Sequence, residues 1–274
     1  MASSSDISSR REVPVVILCG GQGTRLREET EHRPKPMVEV GPRPILWHIM
    51  KLYGAHGLDR FVLCLGYKGW EIKQYFLRYK EMLGDFTVSM DGSRPPEFHA
   101  GFQYEDGHES WRVTCAETGA DTATGARLQL VRRYLADSPT FCLTYGDAVS
   151  DVDIGALLDF HHAQGRLATV TGVHPTSRYG EIEVDGSRVV EFAEKPVAQG
   201  LVSGGFFVFQ REALDYLDDD PQLFLEQKPL RGLARDGQLS VYVHEGFWHP
   251  MDTYRDYLHL NALWKQERPP WRVW

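Results

Sequence analysis

The sequence predicts an α/β protein in which helices wrap a mostly parallel sheet, and three observations carry that expectation. Short apolar runs of strand length alternate with segments whose apolar residues recur at helical spacing. The first run, Val13–Cys19, is continuously apolar and rich in β-branched residues, the mark of a strand buried on both faces. A glycine-rich turn, Gly20–Leu26, follows it directly.

The elements follow in order along the chain. In Pro44–His56, apolar Ile45, Leu46, Ile49, Met50 and Tyr53 recur at helical spacing. Phe61–Leu65 reads as a second buried strand and Gly69–Tyr79 as a second helix. Phe86–Met90 is a short strand, Asp91–Ser110 a long polar loop without period, and Trp111–Ala116 another strand. Ala126–Leu135 predicts a helix, and Thr140–Thr144 a strand ending at Tyr145-Gly146-Asp147. Past this point the texture changes. Glu181–Val184 and Val189–Phe192 flank Asp185-Gly186, a strong hairpin signal. Phe206–Phe209 and Leu239–Val243 read as strands and Thr253–Trp264 as a closing helix. One domain over 13–274, with inserted hairpins and a small C-terminal lobe, fits this order.

Composition bounds the function. With 274 residues, 42% of them hydrophobic, the chain can bury a large core without disulfide or metal staples. The formal net charge of -8 opposes non-specific binding to nucleic acid or an anionic membrane, so neither is an expected partner. An anionic substrate would need a local cluster of cations. Cys19, Cys64, Cys115 and Cys142 lie in apolar runs without metal-type spacing, which reads as reduced core thiols in a cytoplasmic protein. Met1–Glu12 has no apolar stretch of the kind a secretory signal needs and reads as a disordered tail.

The candidate site starts at Gly20-Gly21-Gln22-Gly23-Thr24-Arg25-Leu26. Glycines after a buried strand let backbone N–H groups approach phosphate oxygens. The loop lacks the Gly-Lys-[Ser/Thr] ending of a Walker A motif, and Leu26 stands where a dinucleotide fingerprint needs glycine. A plain strand-to-helix turn is the bland alternative. Lys35, between Pro34 and Pro36, sits on stiffened backbone and is a candidate anion partner, or else a solvated surface lysine. Asp147 follows a strand at its C-terminal end, where open α/β sheets bind ligands. Asp252 precedes a helix, and its plain reading is an N-cap. Paired, the two aspartates could hold Mg²⁺. Lys195, in Glu194-Lys195-Pro196, faces an anion or ends a strand in solvent. His161-His162 has no third ligand at useful spacing and reads as a helix surface.

Taken together, the glycine loop, Pro34-Lys35-Pro36-Met37, Tyr145-Gly146-Asp147, Glu194-Lys195-Pro196 and Pro250-Met251-Asp252-Thr253 resemble the sugar-1-phosphate nucleotidyltransferases. Leu46–Tyr53, Gly66-Tyr67-Lys68-Gly69, Gly204-Gly205-Phe206-Phe207 and Pro270-Trp271 are similar to the branch that joins CTP to glucose 1-phosphate. The resemblance implies a Rossmann-like nucleotidyltransferase fold, with a nucleotide-binding half over about 13–150 and a sugar-binding half over about 151–274.

It also implies roles. Leu18, Cys19, Gly20, Gly21, Gln22, Gly23, Thr24 and Arg25 would hold the nucleotide, with Arg25 and Lys35 catalytic on its phosphates. Thr122 and Arg127 would contact the cytosine, and Asp147 and Asp252 would bind Mg²⁺. Gly180 and Glu194 would bind sugar hydroxyls and Lys195 the sugar phosphate, while Ser203 replaces a family asparagine at an expected sugar contact. The family forms homo-oligomers, hexameric in this branch. CTP and a sugar 1-phosphate are the implied partners, giving CDP-glucose and pyrophosphate.

Overall fold

Val15–Leu18 forms β1, the strand read as Val13–Cys19, and Ile45–Ala55 forms α1. The computed structural model that provides these elements describes residues 11–21, 23, 25–99, 109–175, 181–193 and 200–274. In chain order there follow β2 (Arg60–Leu65), α2 (Gly69–Leu77), β3 (Arg112–Glu117) and α3 (Thr124–Val131). Next come β4 (Thr140–Tyr145), β5 (Ala148–Ser150), α4 (Ile154–Gln164), β6 (Ala168–Val173) and the hairpin β7 (Glu181–Asp185) and β8 (Arg188–Ala193). The chain closes with β9 (Val202–Gln210), α5 (Lys228–Arg235), β10 (Leu239–His244), β11 (Trp248–Pro250) and α6 (Tyr254–Trp264).

Seven strands form the central sheet in the order β10-β6-β9-β4-β1-β2-β3. β1 pairs in parallel with β2 and β4, β2 with β3, and β6 with β10. Only β9 runs against its neighbours β6 and β4. The sheet is therefore mostly parallel, as expected.

Its two faces bury alternate residues of the same strands. Val15 and Ile17 pack with Ile45, Ile49 and Tyr53 of α1, and Leu260 of α6 and Trp271 lie in the same cluster. Val16 and Leu18 pack on the other side with Leu128 and Val131 of α3 and Leu233 of α5. A strand covered on both faces has no polar positions to alternate with, which explains the unbroken apolar run of β1.

Several sequence expectations change. The 91–110 loop contains a two-residue strand, Glu97–Phe98, paired with Phe86–Thr87, so it is not structureless, and 100–108 lie outside the described residues. Of the expected tail, 1–10 lie outside them too, while the Glu12 carbonyl accepts from Ser138 Oγ. The four cysteines are free thiols, three of them buried.

His161 corrects the expectation of a helix-surface pair. It lies on α4 fully buried, with Nδ1 2.9 Å from Thr169 Oγ1 and Nε2 3.0 Å from the Gln210 amide nitrogen, whereas His162 is exposed. Burial, with His162 beside it, pushes the His161 pKa down to about 4. The folded state thus holds the ring neutral while an unfolded ring protonates near 6.5, so stability falls as pH drops through that window. Between pH 7 and pH 5 this histidine should cost about 2 kcal/mol, a loss that His161→Gln should abolish in urea unfolding at the two pH values.

Candidate active site

At the C-terminal ends of β1 and β4 the chain opens into a cleft of about 610 Å³. Leu18, Cys19, Gly20, Gly21 and Gly23 form one wall. The loop is held from behind: Cys19 N donates to the Cys64 carbonyl at 3.1 Å and Tyr67 N to that of Gly20 at 3.3 Å. The Tyr67 bond gives Gly66-Tyr67-Lys68-Gly69 a local purpose as a brace. Two glycines are required by what surrounds them. A Cβ on Gly20 would stand 2.1 Å from the Arg127 guanidinium carbon, and Gly23 has φ +63°. Both Leu26 N and Thr30 Oγ1 donate to the Gly23 carbonyl at 3.0 Å, which ties Gly23 to the helical turn Arg27–Thr30. Gln22 and Thr24 lie outside the described residues.

Charge gathers at one end of the cleft. Lys35 opens a short 3₁₀ turn after Pro34, and its Nζ donates to Asp147 Oδ2 at 2.8 Å and to Asp252 Oδ1 at 2.7 Å. Arg25 approaches Asp252 at 3.7 Å. The two aspartates meet because β5 pairs antiparallel with β11, setting Ala148 opposite Pro250, and Met251 N donates to the Asp147 carbonyl at 2.8 Å. Burial works against the Lys35 charge, but the two carboxylates outweigh it and hold its pKa above the ordinary value.

Asp252 is not the N-cap that its position suggested. Thr253 caps α6 in a capping box closed by Asp256, whose Oδ2 also accepts from Asp252 N at 3.1 Å. The Asp252 carboxylate is thereby left to the cleft. Two carboxylates converging on one cationic point are hard oxygen donors suited to a divalent ion that takes its other ligands from phosphate and water. Among the described residues there is no cluster of three or more His, Cys, Asp or Glu that could hold a metal ion.

The rest of the lining is mostly uncharged among the described residues. Thr122, Ala123, Thr124 and Phe224 belong to it, together with Arg127. Arg127 is 3% exposed, and its guanidinium donates to Leu65, Gly119, Gly20 and Ala120 carbonyls and to Thr118 Oγ1. This residue ties the glycine loop to the ends of β2 and β3. Arg127→Met should therefore cost about 3 kcal/mol in denaturant unfolding, because several buried acceptors lose a charged donor. Unchanged stability would show the clamp to be unimportant.

Of the expected sugar-side residues, Gly180, Glu194 and Lys195 lie outside the described residues. Ser203 stands on β9 opposite Gly172 and is not part of the cleft lining. Sequence reasoning missed Thr124 and Phe224, which stand in no motif.

Comparison with known proteins bears on the family and the fold. A family model described as nucleotidyl transferase matches residues 14–267. Glucose-1-phosphate cytidylyltransferases of Salmonella typhi and Salmonella typhimurium are each 45% identical over 260 residues, covering 94% of this chain and 98% of the relative. The crystal structure of HddC from Yersinia pseudotuberculosis superposes with a TM-score of 0.64 at 21% identity, over 92% of this chain and 100% of that one, which speaks for the fold alone.

Proposed function

The chain belongs to the nucleotidyl transferase family, and we propose that it transfers a cytidylyl group from CTP to α-D-glucose 1-phosphate, giving CDP-glucose and pyrophosphate. The observation that carries the reading is Lys35 held between Asp147 and Asp252 beside the glycine loop, a set of groups suited to two polyanions and a divalent metal.

The chemistry needs no general base. The second pKa of a phosphate monoester is about 6, so the sugar phosphate is already a nucleophile at neutral pH. Its oxygen forms a bond to the α-phosphorus of CTP in line as the bond to the β-phosphate oxygen breaks, and that electron pair leaves on pyrophosphate. What the protein must supply is positioning and positive charge. The backbone of Gly20, Gly21 and Gly23 would seat the triphosphate, Arg25 and Lys35 would neutralise it, and the clamp around Arg127, with Thr122, would shape the place of the base. Enzymes of this family generally use a divalent metal, and we take it here to be Mg²⁺, held by Asp147 and Asp252, where it would neutralise charge on the phosphates.

The sugar side, with Gly180, Glu194, Lys195 and Ser203, is part of the proposal, as is the division into a nucleotide half and a sugar half. So is a cytoplasmic setting, which the four free cysteines support. Among the described residues no helix is long and apolar enough to cross a membrane. A homo-oligomer is supported by the hairpin β7–β8, where Ile182, Val184, Val189 and Phe192 are each more than half exposed; sedimentation of the purified protein tests it.

Pyrophosphate release across a grid of nucleoside triphosphates and sugar 1-phosphates tests the function. CTP with glucose 1-phosphate should lead the grid. A different leading pair would keep the reaction and change the substrates, and silence everywhere would favour a non-catalytic sugar-nucleotide sensor.

A further inference from the structure

The cleft is divided by charge. Arg25, Lys35, Asp147 and Asp252 lie together on its lining, while the guanidinium of Arg127, elsewhere on it, is taken up by the protein's own oxygens. That second part is lined by Thr122, Ala123, Thr124 and one further aromatic ring, Phe224. Tyr145, the other ring on the lining, has its hydroxyl tied to Glu226.

Phe224 is 43% exposed, between Leu223 and Leu225, which are buried at 5% and 1%. A large apolar side chain left open between two buried ones has been turned outward by its strap, and this one faces the cleft. The strap itself is fixed. Ala123 N donates to the Pro221 carbonyl at 2.9 Å, and Gly125 N and Ala126 N donate to that of Leu223 at 2.9 and 3.1 Å. In return Leu225 N donates to Thr124 Oγ1 at 2.9 Å, and Thr124 Oγ1 donates to Glu226 Oε2 at 2.7 Å. Segment 221–226 is thus laced to the start of α3, and the ring is presented on a rigid mount.

We propose that the Phe224 ring is the face on which the base of the bound nucleotide packs, making it a base-positioning residue of this site. The inference rests on the reading of the cleft as a nucleotidyltransfer site. A base has a π-face whatever its edge, so the ring contributes affinity for the nucleoside and none for the phosphates.

The test is calorimetric titration of the full chain in Mg²⁺ with two probes, CTP and inorganic tripolyphosphate. For Phe224→Ala the Kd for CTP should rise about tenfold, the order of one stacking contact, with that for tripolyphosphate unchanged. Phe224→Tyr should restore CTP binding, and Phe224→Leu, which keeps the apolar bulk without the π-face, should not. The proposal is overturned by unchanged CTP affinity in Phe224→Ala, by an equal loss for both probes, or by full binding in Phe224→Leu. Wild-type protein that bound neither probe would instead bring down the functional reading, and this proposal with it.

Discussion

Lys35→Ala is expected to lower kcat by about 10²-fold or more, the scale of losing one preorganised charge-stabilising group. Three features make the effect large. The ammonium is mostly buried, with 13% of its side chain exposed, so little water screens it. Pro34 and the 3₁₀ turn fix the backbone that carries it. Its charge is also secure, because Asp147 and Asp252 raise its pKa despite burial. A lysine with a raised pKa keeps its proton at every pH below that value, so without metal Lys35 should stay charged between pH 6 and 9. The substitution removes a countercharge from two carboxylates, so affinity for the metal alone should hold or tighten while affinity for CTP falls. Steady-state kinetics with saturating Mg²⁺, together with Mn²⁺ binding followed by electron paramagnetic resonance, separate these effects. Near-normal turnover would remove Lys35 from the mechanism.

What the sequence made legible, and what it did not, follows from the range of the forces involved. β1 and the glycine loop were readable because burial on both faces leaves an unbroken apolar run, and the turn that follows demands glycine locally. α5 was missed because Pro229 and Gly232 interrupt its pattern and only part of it is buried. Asp252 was misread because Asp and Thr are both good caps. Asp256, three residues beyond Thr253, decides the matter by completing the capping box. The meeting of Asp147 and Asp252 depends on two three-residue strands, β5 and β11, too short to show a period and about a hundred residues apart. His161 and Arg127 present the same difficulty. A histidine or arginine carries no sign in its own neighbourhood that Gln210, or the carbonyls of Gly20 and Leu65, will satisfy it. Phe224 needed the strap at 221–226, whose partners lie at 121–126.

Asp147→Ala should likewise cost about 10²-fold or more in kcat, but through a different dependence. Asp147 and Asp252 reach one cation, each through a single oxygen, at 2.8 and 2.7 Å from Lys35 Nζ. A metal held by these two carboxylates would keep one of them in either single variant, so the defect should shrink as Mg²⁺ is raised, which the Lys35→Ala defect should not. With neither carboxylate present, metal would arrive only on the nucleotide. The double variant Asp147→Asn, Asp252→Asn should then show less than the sum of the two single losses, because residues acting as a unit are not additive. Asn preserves the shape at both sites, so a stability difference cannot mimic this pattern. Mn²⁺ titration without nucleotide gives a readout independent of turnover: weakened binding in each single variant and none in the double. Unchanged Mn²⁺ affinity in Asp147→Asn would mean that Asp147 serves only to hold Lys35. The metal would then have to be carried by Asp252 and the substrate phosphates alone.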